Sequence, residues 1–255
     1  MTKPELRRTL AILLAAALFC TAGLLGLACS AWATTGEHGS LPRLDEILKR
    51  TEKRYSKTGA FTARFRQETT SAAAGSLTTK ATGVFFYQRP RQMRWQYQEP
   101  EPQVFIANGS HAWLHVPEDF QINLFDAEEV FSSPLSRALL EGAVELKKYF
   151  KVSLNTKQSS PSEAVLDLVP LKEDPNVNSV MLRISLEDYR ITGVDTRDAL
   201  GNLNRLSFAD QKDADHLDAK LFHLEVPDDT VVFDPNGQPV PEFRLKELQL
   251  QLSSR

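Results

Sequence analysis

The chain has 255 residues, a formal charge of −3 at pH 7 and two cysteines, and 42% of its residues are hydrophobic. That length gives room for one large domain, or at most two small ones. The near-neutral, slightly acidic balance argues against a nucleic-acid-binding surface, and no segment is low-complexity or repeats with a fixed period.

The N-terminus has the three parts of a secretory signal. Lys3, Arg7 and Arg8 form a charged start, Leu10 to Ala28 an apolar run, and Ala31-Trp32-Ala33 a small-x-small cleavage pattern. Residues 1–33 are therefore predicted to be a cleaved signal peptide, with Thr34 the first mature residue. An uncleaved anchor is the rival, because the apolar run is long enough to span a bilayer; the Ala-x-Ala site weighs against it. A lipid-modified Cys29 is the other rival, but Gly26 stands where a large aliphatic residue belongs. Both cysteines, Cys20 and Cys29, lie in this segment, so the mature core must hold without a disulfide.

Residues 34–235 read as one domain and 236–255 as a tail of open role. Ser40 to Tyr55 is the first mature element: Ser40 can N-cap, Pro42 fits a first turn, and Leu41, Leu44, Ile47 and Leu48 form a stripe at helical spacing. From Ala60 the period changes to two, with Phe61, Ala63 and Phe65 alternating with Thr62, Arg64 and Arg66. Leu77 to Gln88 is predicted to return as the next strand, continuous and aromatic from Val84 to Tyr87. Pro90 cannot donate to a ladder and marks a bend, after which Met93, Trp95 and Tyr97 share one face. If the earlier strand is regular, Arg89 shares a face with Phe85 and Tyr87; a permanent cation at the end of an apolar wall needs acceptors for its donors.

Short strands follow: Val104 to Ala107, Ala112 to Val116 and Phe120 to Leu124, with a turn at Asn108-Gly109-Ser110. Asp126 can cap a helical turn ending near Phe131, and Leu135, Ala138 and Leu139 make the stripe of a short helix begun by Pro134. Strands resume around Phe150, Leu166, Leu182, Ile191 and Leu206, and Phe222, Leu224 and Val226 are predicted to form the last. Ten to a dozen short antiparallel strands suggest a curved sheet, closed as a sandwich or barrel, whose helices cover a face or plug a mouth.

Enzyme motifs are scarce: no Gly-x-Ser-x-Gly, no P-loop and no Gly-x-Gly-x-x-Gly after a strand. His111 and His115 would share a strand face, but no third ligand of suitable spacing accompanies them. Glu118-Asp119 and Glu128-Glu129 read as a turn and a helix end, and Arg64, Arg66, Arg91 and Arg94 as the wet face of a sheet. Large apolar side chains recur on one strand face after another. Most must be core, and the sharper reading is a curved sheet that holds an apolar ligand.

The order of these pieces resembles a known family. A helix is followed by Phe-Thr-Ala-Arg-Phe-Arg-Gln at 61–67, Gly-Val-Phe-Phe-Tyr-Gln-Arg-Pro at 83–90, and Met-Arg-Trp-Gln-Tyr at 93–97. Then come Glu99-Pro100, Asn108-Gly109-Ser110 with Trp113, and Pro134-Leu135 with Leu139-Leu140. From about Leu41 to Asp234 the chain resembles the periplasmic outer-membrane lipoprotein carrier family, LolA. The resemblance implies a mainly β, α+β fold: an incomplete antiparallel β-barrel of about 10–12 strands with a helical lid over an apolar cavity. It implies a non-enzymatic, monomeric periplasmic chaperone without cofactor or metal. Such a carrier takes acylated lipoproteins from an inner-membrane ATP-driven release complex and passes them to an outer-membrane lipoprotein receptor.

The candidate acyl-binding residues are Phe61, Phe65, Phe85, Tyr87, Met93 and Trp95 on the first strands, Ile106 and Trp113 on the next pair, and Leu135 and Leu139 on the lid. The family's functional arginine matches Arg89, whose hydrogen bonds to lid helices, expected between Asp126 and Leu140, hold the empty cavity closed. Met93 departs from the usual aromatic residue near the mouth. Three alternatives stay open: a lipid-anchored receptor of the same fold, which needs an acylated Cys29; a sensor-type relative that binds lipoproteins without shuttling them; and a hydrolase, for which no residue set is evident.

Overall fold

The structure, a computed structural model, describes residues 41–73, 77–109, 111–132, 146–174, 176–223 and 225–242. The predicted signal peptide and lid residues Pro134 to Leu140 lie outside them. Three helices are described: α1 (Leu44–Ser56), α2 (Ala127–Ser132) and α3 (Leu146–Tyr149). The strands are β1 (Ala60–Ser71), β2 (Leu77–Gln88), β3 (Gln92–Glu99), β4 (Gln103–Ala107), β5 (His111–Val116) and β6 (Gln121–Asp126). They continue as β7 (Phe150–Leu154), β8 (Glu163–Pro170), β9 (Ser179–Ser185), β10 (Ile191–Arg197), β11 (Leu203–Ala214) and β12 (Val231–Phe233).

All twelve strands form one sheet in the order β12-β6-β5-β4-β3-β2-β1-β11-β10-β9-β8-β7. The edge strands β12 and β7 do not meet, so the barrel is incomplete. Register shifts at Thr62/Arg64, Thr82/Gly83 and Ile191/Gly193 bend long strands, as an extra residue on one side of a ladder must. Neighbouring strands are antiparallel, with one correction to the sequence expectation: β12 runs parallel to β6. After β11, Leu217, Leu221, Phe222 and Val226 pack on the outer face, and the chain then pairs Val231 with Gln121 at the start of β6, running the same way.

The strand expected around Phe222 and Val226 is also corrected. Asp218 caps a single 3-10 turn, Ala219–Phe222, by accepting the Lys220 N–H at 3.0 Å. Its apolar side chains plug the outer face and do not extend a ladder: Phe222 is buried against Ile106, Trp113, Ile122 and Val232.

Helix α1 begins later than its stripe suggests. Arg43 stands at the N-cap without a side-chain bond, Asp45 and Glu46 fill the first turn, and Lys53 and Arg54 the last, a distribution that suits the helix dipole. Its buried face carries Ile47, Leu48 and Thr51. Ile47 and Leu48 pack on the inner face of β8, β9 and β10 against Leu166, Leu168, Leu182 and Ile184. Full burial of each such side chain contributes about 1.5–3 kcal/mol. Half the inner face is thus filled by α1, and the other half, across β1 to β6, is lined by aromatic rings.

The outer face divides as well. Over β4 to β6 it is apolar and covered by the crossing segment. Over β9 to β11 it is charged, and the buried carboxylate of Asp195 takes Arg183 at 2.8 Å and Arg205 at 3.0 Å. The Arg183 guanidinium lies 2.2 Å from where a Cβ on Gly193 would sit, so a side chain there would displace the arginine from its place over the strand.

Candidate acyl-binding face and its arginine rim

Alternation along β1, β2 and β3 puts Phe65, Phe85, Tyr87, Met93 and Tyr97 on the inner face, while Phe86 packs on the outer one. Phe61 sits opposite Tyr87, Phe85 opposite Trp95, and Tyr87 opposite Met93. Ring centroids lie 5.7 Å apart for Phe61–Phe85, 5.4 Å for Phe61–Tyr87, 4.3 Å for Phe85–Trp95 and 5.1 Å for Phe65–Trp95. These spacings are those of favourable tilted and edge contacts.

Phe65 lies over Gly83, where an added Cβ would meet the Gln96 carbonyl at 2.1 Å and the Phe65 ring at 2.8 Å. The missing side chain lets the ring reach Tyr97 at 5.0 Å. Phe105, Leu114 and Phe125 extend the wall across β4, β5 and β6, and Ala127 and Phe131 of α2 close over it.

One polar chain is buried in this wall. The Tyr97 hydroxyl donates to Gln67 Oε1 at 3.0 Å, and Gln67 Nε2 donates to Asn204 Oδ1 at 2.9 Å. Burial pushes the Tyr97 hydroxyl pKa up, so it stays a donor. The glutamine is thereby satisfied on both sides, which is what allows it inside.

Of the residues predicted from sequence, Phe61, Phe65, Phe85, Tyr87, Met93 and Trp95 come together in this cluster. Ile106 and Trp113 do not. They point to the outer face, where Trp113 is 0% exposed and packs with Phe222 and Val232. The short strands β4 and β5 are apolar on both faces, so size alone misassigns them; Phe105 and Leu114 hold the inner positions. Leu135 and Leu139 lie outside the described residues.

The two arginines beside Pro90 reach different helices. Arg89 Nη2 donates to the Tyr55 carbonyl at 3.1 Å, in the last turn of α1, and its backbone N–H donates to Gly59. Among the described residues its side-chain contact is therefore with the first helix; residues 133–140 of the expected latch region lie outside them. Arg91, read as wet-face, makes that second contact: it donates to Glu128 Oε1 at 2.8 Å and lies 4.6 Å over the Phe131 ring. A left-handed backbone at Arg91, φ 65, turns its side chain toward α2. The rim formed by the start of β1 and the end of β2 thus holds α1 by one cation and α2 by the other.

Among the described residues no group of three His, Cys, Asp or Glu side chains is placed to hold a metal. Burial lowers the His115 pKa, which keeps its imidazole neutral.

Residues 56–225 match the family of the outer membrane lipoprotein carrier protein LolA. The chain belongs to the LolA family. It is 25% identical over 173 residues to the outer-membrane lipoprotein carrier protein of Shewanella frigidimarina, covering 68% of this chain and 78% of that one. Identity to the Methylococcus capsulatus protein of the same name is 28% over 159 residues, covering 60% and 71%. Among solved structures, a LolA superfamily protein from Nitrosomonas europaea overlaps with a TM-score of 0.39 at 14% identity, covering 71% of this chain and 97% of that one. LolA proteins are non-enzymatic carriers. The match ends at residue 225, so the end of the outer-face segment, with β12, lies beyond it.

Proposed function

We propose that this LolA protein binds the acyl chains of lipoproteins on the aromatic inner face of β1 to β6 and shuttles them across the periplasm. It would take cargo from an inner-membrane ATP-driven release complex and deliver it to an outer-membrane lipoprotein receptor. The observation that carries the reading is the continuous wall from Phe61 to Phe125, covered by α2 and bounded by two helix-holding arginines. Each exposed methylene of an acyl chain costs on the order of 0.8 kcal/mol in water, so an unassisted crossing is prohibitive.

A carrier must also release its cargo. Opening the face to an acyl chain separates α1 or α2 from the rim and breaks the Arg89 or Arg91 bond, and that cost lowers net affinity. Both arginines then act as opposing terms that keep binding reversible. The signal-like N-terminus supports a periplasmic address, and a monomer is the expected carrier.

The test uses the mature protein and inner-membrane vesicles loaded with a lipoprotein. Lipoprotein should appear in a soluble complex and then pass to outer-membrane vesicles. Failure to form the soluble complex overturns the shuttle, and formation without onward transfer favours a sensor-type relative.

A further inference from the structure

We propose that a basic basin beside α1 binds the phosphate-bearing headgroup of an anionic phospholipid. The basin is open, holds about 500 Å³, and is lined by Arg50, Lys53, Arg54 and Lys57 of α1 and its C-cap with Asp188 and Tyr189 of the β9–β10 turn. Four cations face one carboxylate. Asp188 is paired with Arg190 at 2.8 Å, as Arg50 and Arg54 are paired with carboxylates of their own.

The two arginines are paired, so the positive excess of the basin rests on Lys53 and Lys57. Arg50 is held by Glu46 at 2.6 Å and lies 5.2 Å over the Tyr189 ring, while Arg54 pairs with Asp213, which Arg190 also reaches at 3.3 Å. The side chains of Lys53 and Lys57 take no bond among the described residues. They stand four apart along the helix, where like charges repel. The helix dipole alone explains cations in the last turn, but the Tyr55 carbonyl there is already taken by Arg89.

Tyr189 adds an independent sign of a built wall: it is held at φ 60, a backbone conformation costly for an aromatic residue, by its N–H bond to Ser185 at 3.0 Å. Two arginines held in place by carboxylates, one of them over the Tyr189 ring, and two lysine side chains without an ion pair line one anion cradle.

The place of the basin selects the source of the anion. It lies on the rim that carries Arg89, and Tyr55, one residue from Arg54, touches the Phe61 ring at 6.0 Å. An anion held there sits beside the end of the acyl-binding wall. The choice of a lipid as occupant rests on the acyl-carrier reading; the charge argument does not.

The test measures binding of the cargo-free mature protein to vesicles of phosphatidylcholine alone or mixed with phosphatidylglycerol. The wild type should prefer the anionic vesicles, and the preference should weaken with salt. Lys53→Glu with Lys57→Glu should reduce that affinity by roughly tenfold or more. Acyl-ligand fluorescence at Trp95 should stay unchanged in this variant, since neither lysine belongs to the apolar wall. Equal binding to both vesicles, or an undiminished preference in the variant, overturns the site. Competition by inorganic phosphate or a polyglutamate peptide without vesicle preference overturns the lipid assignment. Loss of acyl binding in both proteins would count against the carrier reading and leave the vesicle result standing.

Discussion

Arg89 and Arg91 stand two residues apart, yet their bonds differ in strength. Arg89 gives a charged donor to a part-buried carbonyl, a bond that contributes on the order of 1.5–3 kcal/mol. Arg91 pairs with Glu128, whose side chain is 69% exposed, and such pairs contribute about 0–1 kcal/mol, with a cation–π contact adding about 0.5–1. Arg89→Leu should therefore tighten cargo binding about ten- to a hundredfold and slow release, while Arg91→Ala should shift it less than tenfold. A release assay comparing both variants with wild type checks the order. Unchanged transfer with Arg89→Leu sinks the latch idea and leaves an arginine snorkelling at a rim. The need of Arg89 for an acceptor was legible in the sequence, since a cation ending an apolar strand must be satisfied. Its partner was not, because a backbone carbonyl 34 residues away has no side-chain signature.

At the scale of elements, α1 and the β2–β3 bulge carry the acyl-binding face. Gly83 sits where a Cβ has no room on either side, against backbone at 2.1 Å and a ring at 2.8 Å. Gly83→Ala should cost about 1–3 kcal/mol or more by overpacking, read as a lower urea midpoint with the slope retained. A neutral result would mean the bulge relaxes freely.

Helix α1 docks through Tyr55, whose hydroxyl accepts the Ile191 N–H at 3.0 Å. Burial pushes this phenol from 10.0 up to about 12. Below pH 10 both states keep the proton and stability does not depend on it; above pH 10 the unfolded chain releases its proton first, so stability falls as pH rises toward 12. Burial of Tyr97 acts in the same direction. Thermal midpoints measured from pH 8 upward should be flat and then drop on this account. Tyr55→Phe should soften the drop while costing about 1–3 kcal/mol at neutral pH, because Ile191 loses its acceptor. A drop of equal steepness in the variant would place its cause elsewhere.

The stripe of α1 and the alternation of β1 to β3 are period signals, and both came through from sequence. The course of residues 215–240 did not, since apolar residues that plug an existing face alternate much as a strand does.

The whole molecule is a sheet that is apolar on two sides for two purposes. Its inner face ends in rings beneath a short helix, and its outer face over β4 to β6 is sealed by the chain's own crossing segment. Arg94 helps fix that seal: its Nη1 donates to the Leu221 carbonyl at 3.1 Å, and burial lowers its pKa. Sequence alone could not separate the two faces of β4 and β5, because a strand covered on both sides loses its alternation. Trp95 and Trp113, the two tryptophans among the described residues, make the distinction measurable. Trp95 is half-buried on the inner face, 4.3 Å from Phe85, and Trp113 is fully buried on the outer one. An acyl-chain ligand should shift tryptophan emission in wild type and in Trp113→Phe, and Trp95→Phe should abolish most of the shift. If the response follows Trp113, the ligand enters beneath the crossing segment from residue 217 to 240, and the inner wall is ordinary core.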